Sequence, residues 1–171
     1  MPRLIVRGLS RSVTNGKLQV GPLCFPCAIG RSGRGPKRRE GDGVTPMGRW
    51  QIRHVFYRPD RIRKPQTGLP ISPLRPCFGW CDAPGDANYN RLIRLPFAAS
   101  RELMWRDDGL YDVVTVLGYN DRPRSQWRGS GIFMHIARDG YLPTEGCVAL
   151  SREHILRLIR ILGPRTTIVI E

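Results

Sequence analysis

The sequence predicts a mainly β domain with a few helices, and three observations carry that reading. Short apolar, β-branched runs of about four to eight residues recur along the chain, and Gly, Pro and Asn bound them. Nineteen glycines and fifteen prolines favour the loops that join such strands. A chain of 171 residues is the size of one ordinary domain with its own core. Residues 1–171 therefore read as a single domain, without an internal repeat, low-complexity tract or linker. Hydrophobic content of 40% and charged content of 25% set it apart from disordered chains.

In chain order the strand candidates are Leu4–Val6, Leu18–Val20, Phe25–Ile29, Trp50–Tyr57, Leu92–Leu95, Val113–Leu117, Ile132–Ile136 and Thr166–Ile170. Two segments read as helical. Ser100 is placed to cap a short helix through Arg101–Trp105. The stronger one runs from Ser151 through Leu162, because Ile155, Leu158, Ile159 and Leu162 fall at i, i+3, i+4 and i+7 on one face. Glu153 lies in its first turn and Gly163-Pro164 supplies the stop. His154, near its start, reads as a surface residue. The glycine-rich stretch Gly30–Gly43 lacks the Gly-Lys-Ser/Thr ending of a phosphate cradle and reads as a mobile flap or surface loop.

A net charge of +14 predicts attraction to polyanions. The arginines are spread along the chain, and no helix-turn-helix, zinc-finger or RNP-like pattern accompanies them. Nucleic acid is therefore not the expected partner, and a carboxylate-rich polymer is attracted equally well. No run approaches the ~18 apolar residues of a membrane span, and no signal peptide is visible at the N-terminus. Of five cysteines, Cys24-x-x-Cys27 and Cys77-x-x-x-Cys81 admit two short disulfides, a four-thiolate zinc site, or small buried thiols. Under each reading Cys147 is the odd one out.

Gly131-Ile132-Phe133-Met134-His135-Ile136-Ala137 is apolar enough for a buried strand, yet it carries a histidine. Downstream, Pro143-Thr144-Glu145-Gly146-Cys147-Val148 places a cysteine directly after a glycine. An ordinary thiol, with a pKa of ~8.5, is only a few per cent ionised at neutral pH. A neighbouring imidazole takes its proton, raises the thiolate fraction and later serves a leaving amine. Gly146 frees the backbone to turn, so that amides near 145–147 face a developing oxyanion.

His135 followed by Thr144-Glu145-Gly146-Cys147 resembles the active-site signature of the L,D-transpeptidase catalytic domain family (YkuD type), a His, a spacer, then Ser/Thr-x-Gly-Cys. The likeness extends to Glu40-Gly41-Asp42-Gly43-Val44-Thr45-Pro46-Met47-Gly48, which looks like the family's upstream Thr-Pro-x-Gly turn. Gly79-Trp80-Cys81-Asp82, Tyr89-Asn90-Arg91, Leu103-Met104-Trp105-Arg106 and Gly118-Tyr119-Asn120 look like a proteobacterial subgroup. The resemblance implies a β-sandwich-like catalytic domain that crosslinks peptidoglycan stem peptides. In that reaction Cys147 attacks a stem carbonyl and an amine of a second stem resolves the acyl-enzyme. It implies no metal or organic cofactor, acylation by carbapenem-type inhibitors, and work in the periplasm. Three departures bear on the bond formed: Glu145 replaces the common second His, Ala149 replaces a frequent Arg, and the His135–Cys147 spacer is short. Both 3-3 linkage and 1-3 linkage (position-1 L-Ala to meso-diaminopimelate) stay open.

Beyond Cys147, His135 and Gly146, the candidate substrate-binding residues are Tyr119, Asn120, Trp80, Asp82, Thr144 and Arg138. Tyr119 and Asn120 serve either to orient His135 and substrate or as turn chemistry. Trp80 and Trp105 serve a groove or the core. Arg58, Arg61, Arg106 and Arg138 are candidates to meet stem carboxylates. Two rival functions remain: an L,D-carboxypeptidase or amidase-like hydrolase using the same Cys, and a non-catalytic basic wall- or nucleic-acid-binding module.

Overall fold

The structure is a computed structural model and describes residues 3–8, 10 and 13–171. Three antiparallel strands open it: β1 (Arg3–Gly8), β2 (Asn15–Val20) and β3 (Leu23–Ala28). A short parallel pair follows, β4 (Arg34–Gly35) with β5 (Thr45–Pro46), and then the long strand β6 (Gly48–Tyr57) and β7 (Ile71–Pro73). A separate three-stranded sheet is formed by β8 (Phe78–Cys81), β9 (Leu92–Arg94) and β10 (Arg101–Leu103), with β8 in the middle. The chain then adds β11 (Val113–Leu117), β12 (Phe133–Ile136), β13 (Val148–Leu150), α1 (Arg152–Ile159) and β14 (Thr167–Ile170).

The main sheet runs β11-β12-β13-β3-β2-β1-β14-β6-β7, and β11 also pairs with β6. The sheet thus wraps back on itself, giving the mainly β, β-sandwich-like fold that the sequence predicts. All five residues of β11 are buried, and strand alternation shares them between two cores. Val113 and Leu117 join the main core with α1, while Val114 and Val116 join a second core beneath the small sheet. The same alternation sends Ile132 and Met134 into the main core and Phe133 into the second. His135 has the parity of Phe133, so it too faces the second side.

Ser151 caps α1 as expected, its hydroxyl accepting the His154 amide at 3.2 Å. The helix buries Ile155, Leu158 and Ile159. It closes at Ile159 rather than Leu162, although Leu162 still reaches the core through the following turn. His154 is half-buried rather than a surface residue, its ring 4.8 Å from that of Phe25. Among the described residues no helix is long and apolar enough to cross a membrane.

Two expectations are corrected. Residues 101–105 form no helix, because β10 pairs antiparallel with β8 at Arg101↔Cys81 and Leu103↔Gly79. So short a segment does not cover the cost of helix nucleation, and the open edge of β8 supplies its hydrogen bonds instead. The Gly30–Gly43 stretch is pinned rather than free. The Asp42 carboxylate accepts the amides of Arg38, Arg39 and Val44 and ion-pairs with the buried Lys37 at 2.5 Å.

Candidate active site

A cavity of about 420 Å³ opens where the two cores meet, and Cys147 and His135 both line it. Parallel pairing of β12 with β13 sets Met134 opposite Val148 and His135 opposite Ala149. That register brings Cys147 level with Phe133, one alternation from His135, on the face that carries the second core. The thiol is therefore placed by the same two strands that place the imidazole.

The local backbone explains the Gly-Cys pair. Gly146 has φ +131°, and a Cβ there would stand 2.8 Å from the Val44 carbonyl oxygen, so only glycine fits. Thr144 Oγ1 donates to the Cys147 carbonyl at 2.6 Å and accepts the Gly146 amide at 3.1 Å, which closes the turn. The main chain of Thr144 bonds to Ile29 and Arg31, fastening the turn to the end of β3. Arg31 Nε meets Glu145 at 2.8 Å on the exposed side.

Cys147 Sγ accepts the Phe133 amide at 3.3 Å and donates to the Gly131 carbonyl at 3.3 Å. His135 Nδ1 lies 2.8 Å from the Ile136 carbonyl. A carbonyl only accepts, so Nδ1 carries the proton and Nε2 is the free lone pair. Burial pushes the Cys147 thiol up to about 12, with the Glu102 carboxylate adding to it and the Phe133 amide opposing. Burial likewise pulls His135 down to about 4, partly offset by its bond to Ile136 and reinforced by Arg106 and Arg138. Burial thus favours the neutral form of both groups.

Of the other predicted residues, Asp82, Thr144 and Arg138 line this cavity. Trp80 packs in the second core and donates its indole N–H to Asn90 at 3.0 Å. Tyr119 and Asn120 do not line it. Asn120, at φ +49°, bonds to Ser125 and Gly129 and holds the 120–129 loop, while the Tyr119 hydroxyl donates to Arg128 at 2.6 Å. Arg58 is buried against Trp105 at 3.7 Å and paired with Asp60, away from the cleft. Arg61 pairs with Asp112 at 3.1 Å. Only Arg106 and Arg138 of the four candidate arginines reach the cavity.

No sequence pattern points to Glu102 and Tyr111, which also line the cavity. The Tyr111 hydroxyl donates to Glu102, and its ring meets that of His135 at 5.3 Å. Lys37 and Glu40 also line the cavity, and both lie in the segment read as a flap. The five cysteines are all free. Cys24 is exposed and Cys27 buried, as i and i+3 on a strand must be when they face opposite sides. Being unpaired therefore does not distinguish Cys147; its place beside His135 does. No group of three His, Cys, Asp or Glu side chains able to hold a metal occurs among the described residues.

No curated protein and no solved structure matches the chain. A family model for the L,D-transpeptidase catalytic domain (YkuD) matches residues 8–170, which include both strands of the cleft and the Thr144–Cys147 turn. With nearly the whole chain matched, the protein belongs to the L,D-transpeptidase catalytic domain family.

Proposed function

We propose that the protein is a peptidoglycan L,D-transpeptidase whose nucleophile is Cys147 and whose base is His135. The observation that carries the reading is the pairing of a buried, backbone-held thiol with an imidazole whose Nε2 is free, both at the wall of one cavity. Sγ attacks a stem-peptide carbonyl while Nε2 takes the thiol proton, which avoids building a bare thiolate in a site that disfavours it. The imidazolium then protonates the departing amine as the C–N bond breaks, leaving a thioester. An amine of a neighbouring stem attacks the thioester, His135 takes its proton, and the thiol is restored. One amide is exchanged for another, so no ATP or cofactor enters.

Arg106 and Arg138 line the cleft that Ala149 also lines, and they offer guanidinium groups to stem carboxylates where the family often has an Arg after the Cys. Such a changed grip suits an altered donor, so 1-3 linkage stands beside 3-3. The substrate places the work in the periplasm. The test incubates pure protein with disaccharide-tetrapeptides and reads products by mass spectrometry. Crosslinked dimers that vanish in Cys147→Ala support the proposal, and their fragmentation assigns 3-3 or 1-3. Shortened monomers without dimers point to the hydrolase. Absence of turnover and of a carbapenem adduct on Cys147 refutes the nucleophile.

A further inference from the structure

The cleft is polarised in a way that thiol attack does not require. Glu40, Asp82 and Glu102 come from three separate segments and line the same cavity as Cys147, in a chain whose net charge is +14. They gather at one end of it. Glu102 Oε2 lies 3.4 Å from the position of a Cβ on Gly131, the residue whose carbonyl accepts the hydrogen bond of the Cys147 thiol. Glu40 accepts the hydroxyl of the adjacent Ser130 at 2.8 Å.

The one cation paired with these carboxylates among the described residues, Arg106, is held more closely by Asp108. Glu40 is satisfied by two hydroxyls, those of Tyr89 and Ser130. Glu102 Oε1 takes the Tyr111 hydroxyl, and the nearest guanidinium nitrogen, on Arg106, stands 3.8 Å away. That guanidinium is bonded to Asp108, at 3.0 Å from Nε. Glu102 Oε2 makes no hydrogen bond among the described residues, and Asp82 Oδ1 is enclosed without a partner. Burial, with the charges of Asp82 and Glu40 adding to it, lifts the Glu102 carboxyl above its ordinary value despite the Tyr111 bond. An arriving cation would relieve that cost. The cavity supplies access, the free oxygens supply acceptors, and three carboxylates with one shared guanidinium define the ligand.

We propose that the Glu102 carboxylate, backed by Asp82 and Glu40, is a subsite for a primary ammonium group of a stem peptide and sets which stems are accepted. The identity of the ligand rests on the transpeptidase reading; the chemistry of the subsite does not. Two sources fit, the side-chain ammonium of the donor stem and that of the acceptor.

The deciding experiment uses the full chain with Cys147→Ala, so that nothing turns over. Calorimetry compares a disaccharide-tetrapeptide bearing its free diaminopimelate amine with the same compound acetylated there. A charge-assisted hydrogen bond in a partly desolvated cleft is worth about tenfold or more in affinity, so the free amine should bind at least about tenfold tighter. Adding Glu102→Gln should collapse that preference, and Glu102→Asp should keep part of it. Equal affinity for the two compounds, or binding of neither at millimolar concentration, overturns the proposal without recourse to any Glu102 variant. With Cys147 present, Glu102→Gln then separates the sources. A rise in acceptor KM out of proportion to the acylation rate assigns the acceptor, slower acylation by the free-amine donor assigns the donor, and neither change refutes the subsite. Failure of the wild-type protein to form any acyl-enzyme would sink the transpeptidase reading while leaving the binding comparison to stand or fall alone.

Discussion

Acidification reads how far folding depresses the proton affinity of His135. His135 is buried, and its pKa falls from 6.5 to about 4 on folding. The unfolded chain therefore binds the extra proton first. His135 adds stability that is fully present above pH 6.5 and is lost as pH falls toward 4. At ~1.4 kcal/mol for each pH decade, the loss amounts to about 3 kcal/mol. A His135 that kept its ordinary pKa on folding would leave stability unchanged over the same range. The assay is urea denaturation followed by tryptophan fluorescence at intervals from pH 7 to 4, for the wild-type protein and for His135→Asn. Asparagine keeps a donor for the Ile136 carbonyl and does not titrate. Carboxylates shared by both proteins cancel, so the difference curve isolates His135. We expect the variant to gain about 3 kcal/mol relative to wild type by pH 4. Parallel curves, or a wild type that gains on the variant, would refute the fall in the His135 pKa on burial.

Three further outcomes are expected. Gly146→Ala should cost about 1–3 kcal/mol, read as a lower Tm, because φ +131° disfavours any side chain and the added Cβ meets the Val44 carbonyl at 2.8 Å; acylation of Cys147 by a carbapenem should be lost with it. Asp42→Ala should cost about 3–5 kcal/mol in chemical denaturation, since it strands the Lys37 ammonium, whose side chain is only 2% exposed. Arg31→Ala should shift stability by less than about 1 kcal/mol in the same assay, because its bond to Glu145 lies on the surface, where solvent screens it.

The sequence was most legible where one periodicity decides one face. The 3.6-residue pattern of Ile155, Leu158 and Ile159 gave α1 and its buried side, and the short apolar run 132–136 gave the strand that carries His135. The Gly146-Cys147 turn was legible too, since glycine before a nucleophile has a steric reason. Residues 101–105 misled because a polar start and a few large side chains fit a helix as well as an edge strand; only the partner β8 decides, and it is remote in sequence. The glycines of 30–43 suggested freedom, but Asp42 gathers three amides and a lysine there, a convergence that no local pattern encodes. The protonation state of Cys147 was hidden for a related reason. Spacing reports that an imidazole is near, while burial of both groups decides who holds the proton.

The division of β11 and β12 between two cores has a consequence for how such an enzyme diversifies. Phe133 and Cys147 pack with residues of the small-sheet region, including Trp80, Met104 and Tyr111, whereas Met134 and Val148 anchor the same strands in the main core. The proposed reacting atoms thus sit on a chassis with its own foundation, and the segment from Leu74 to Leu110 is an upholstery fitted over one side of it. Substitutions in that covering, Asp82 and Glu102 among them, can retailor what the cleft admits while the thiol, the imidazole and the register between them keep their places.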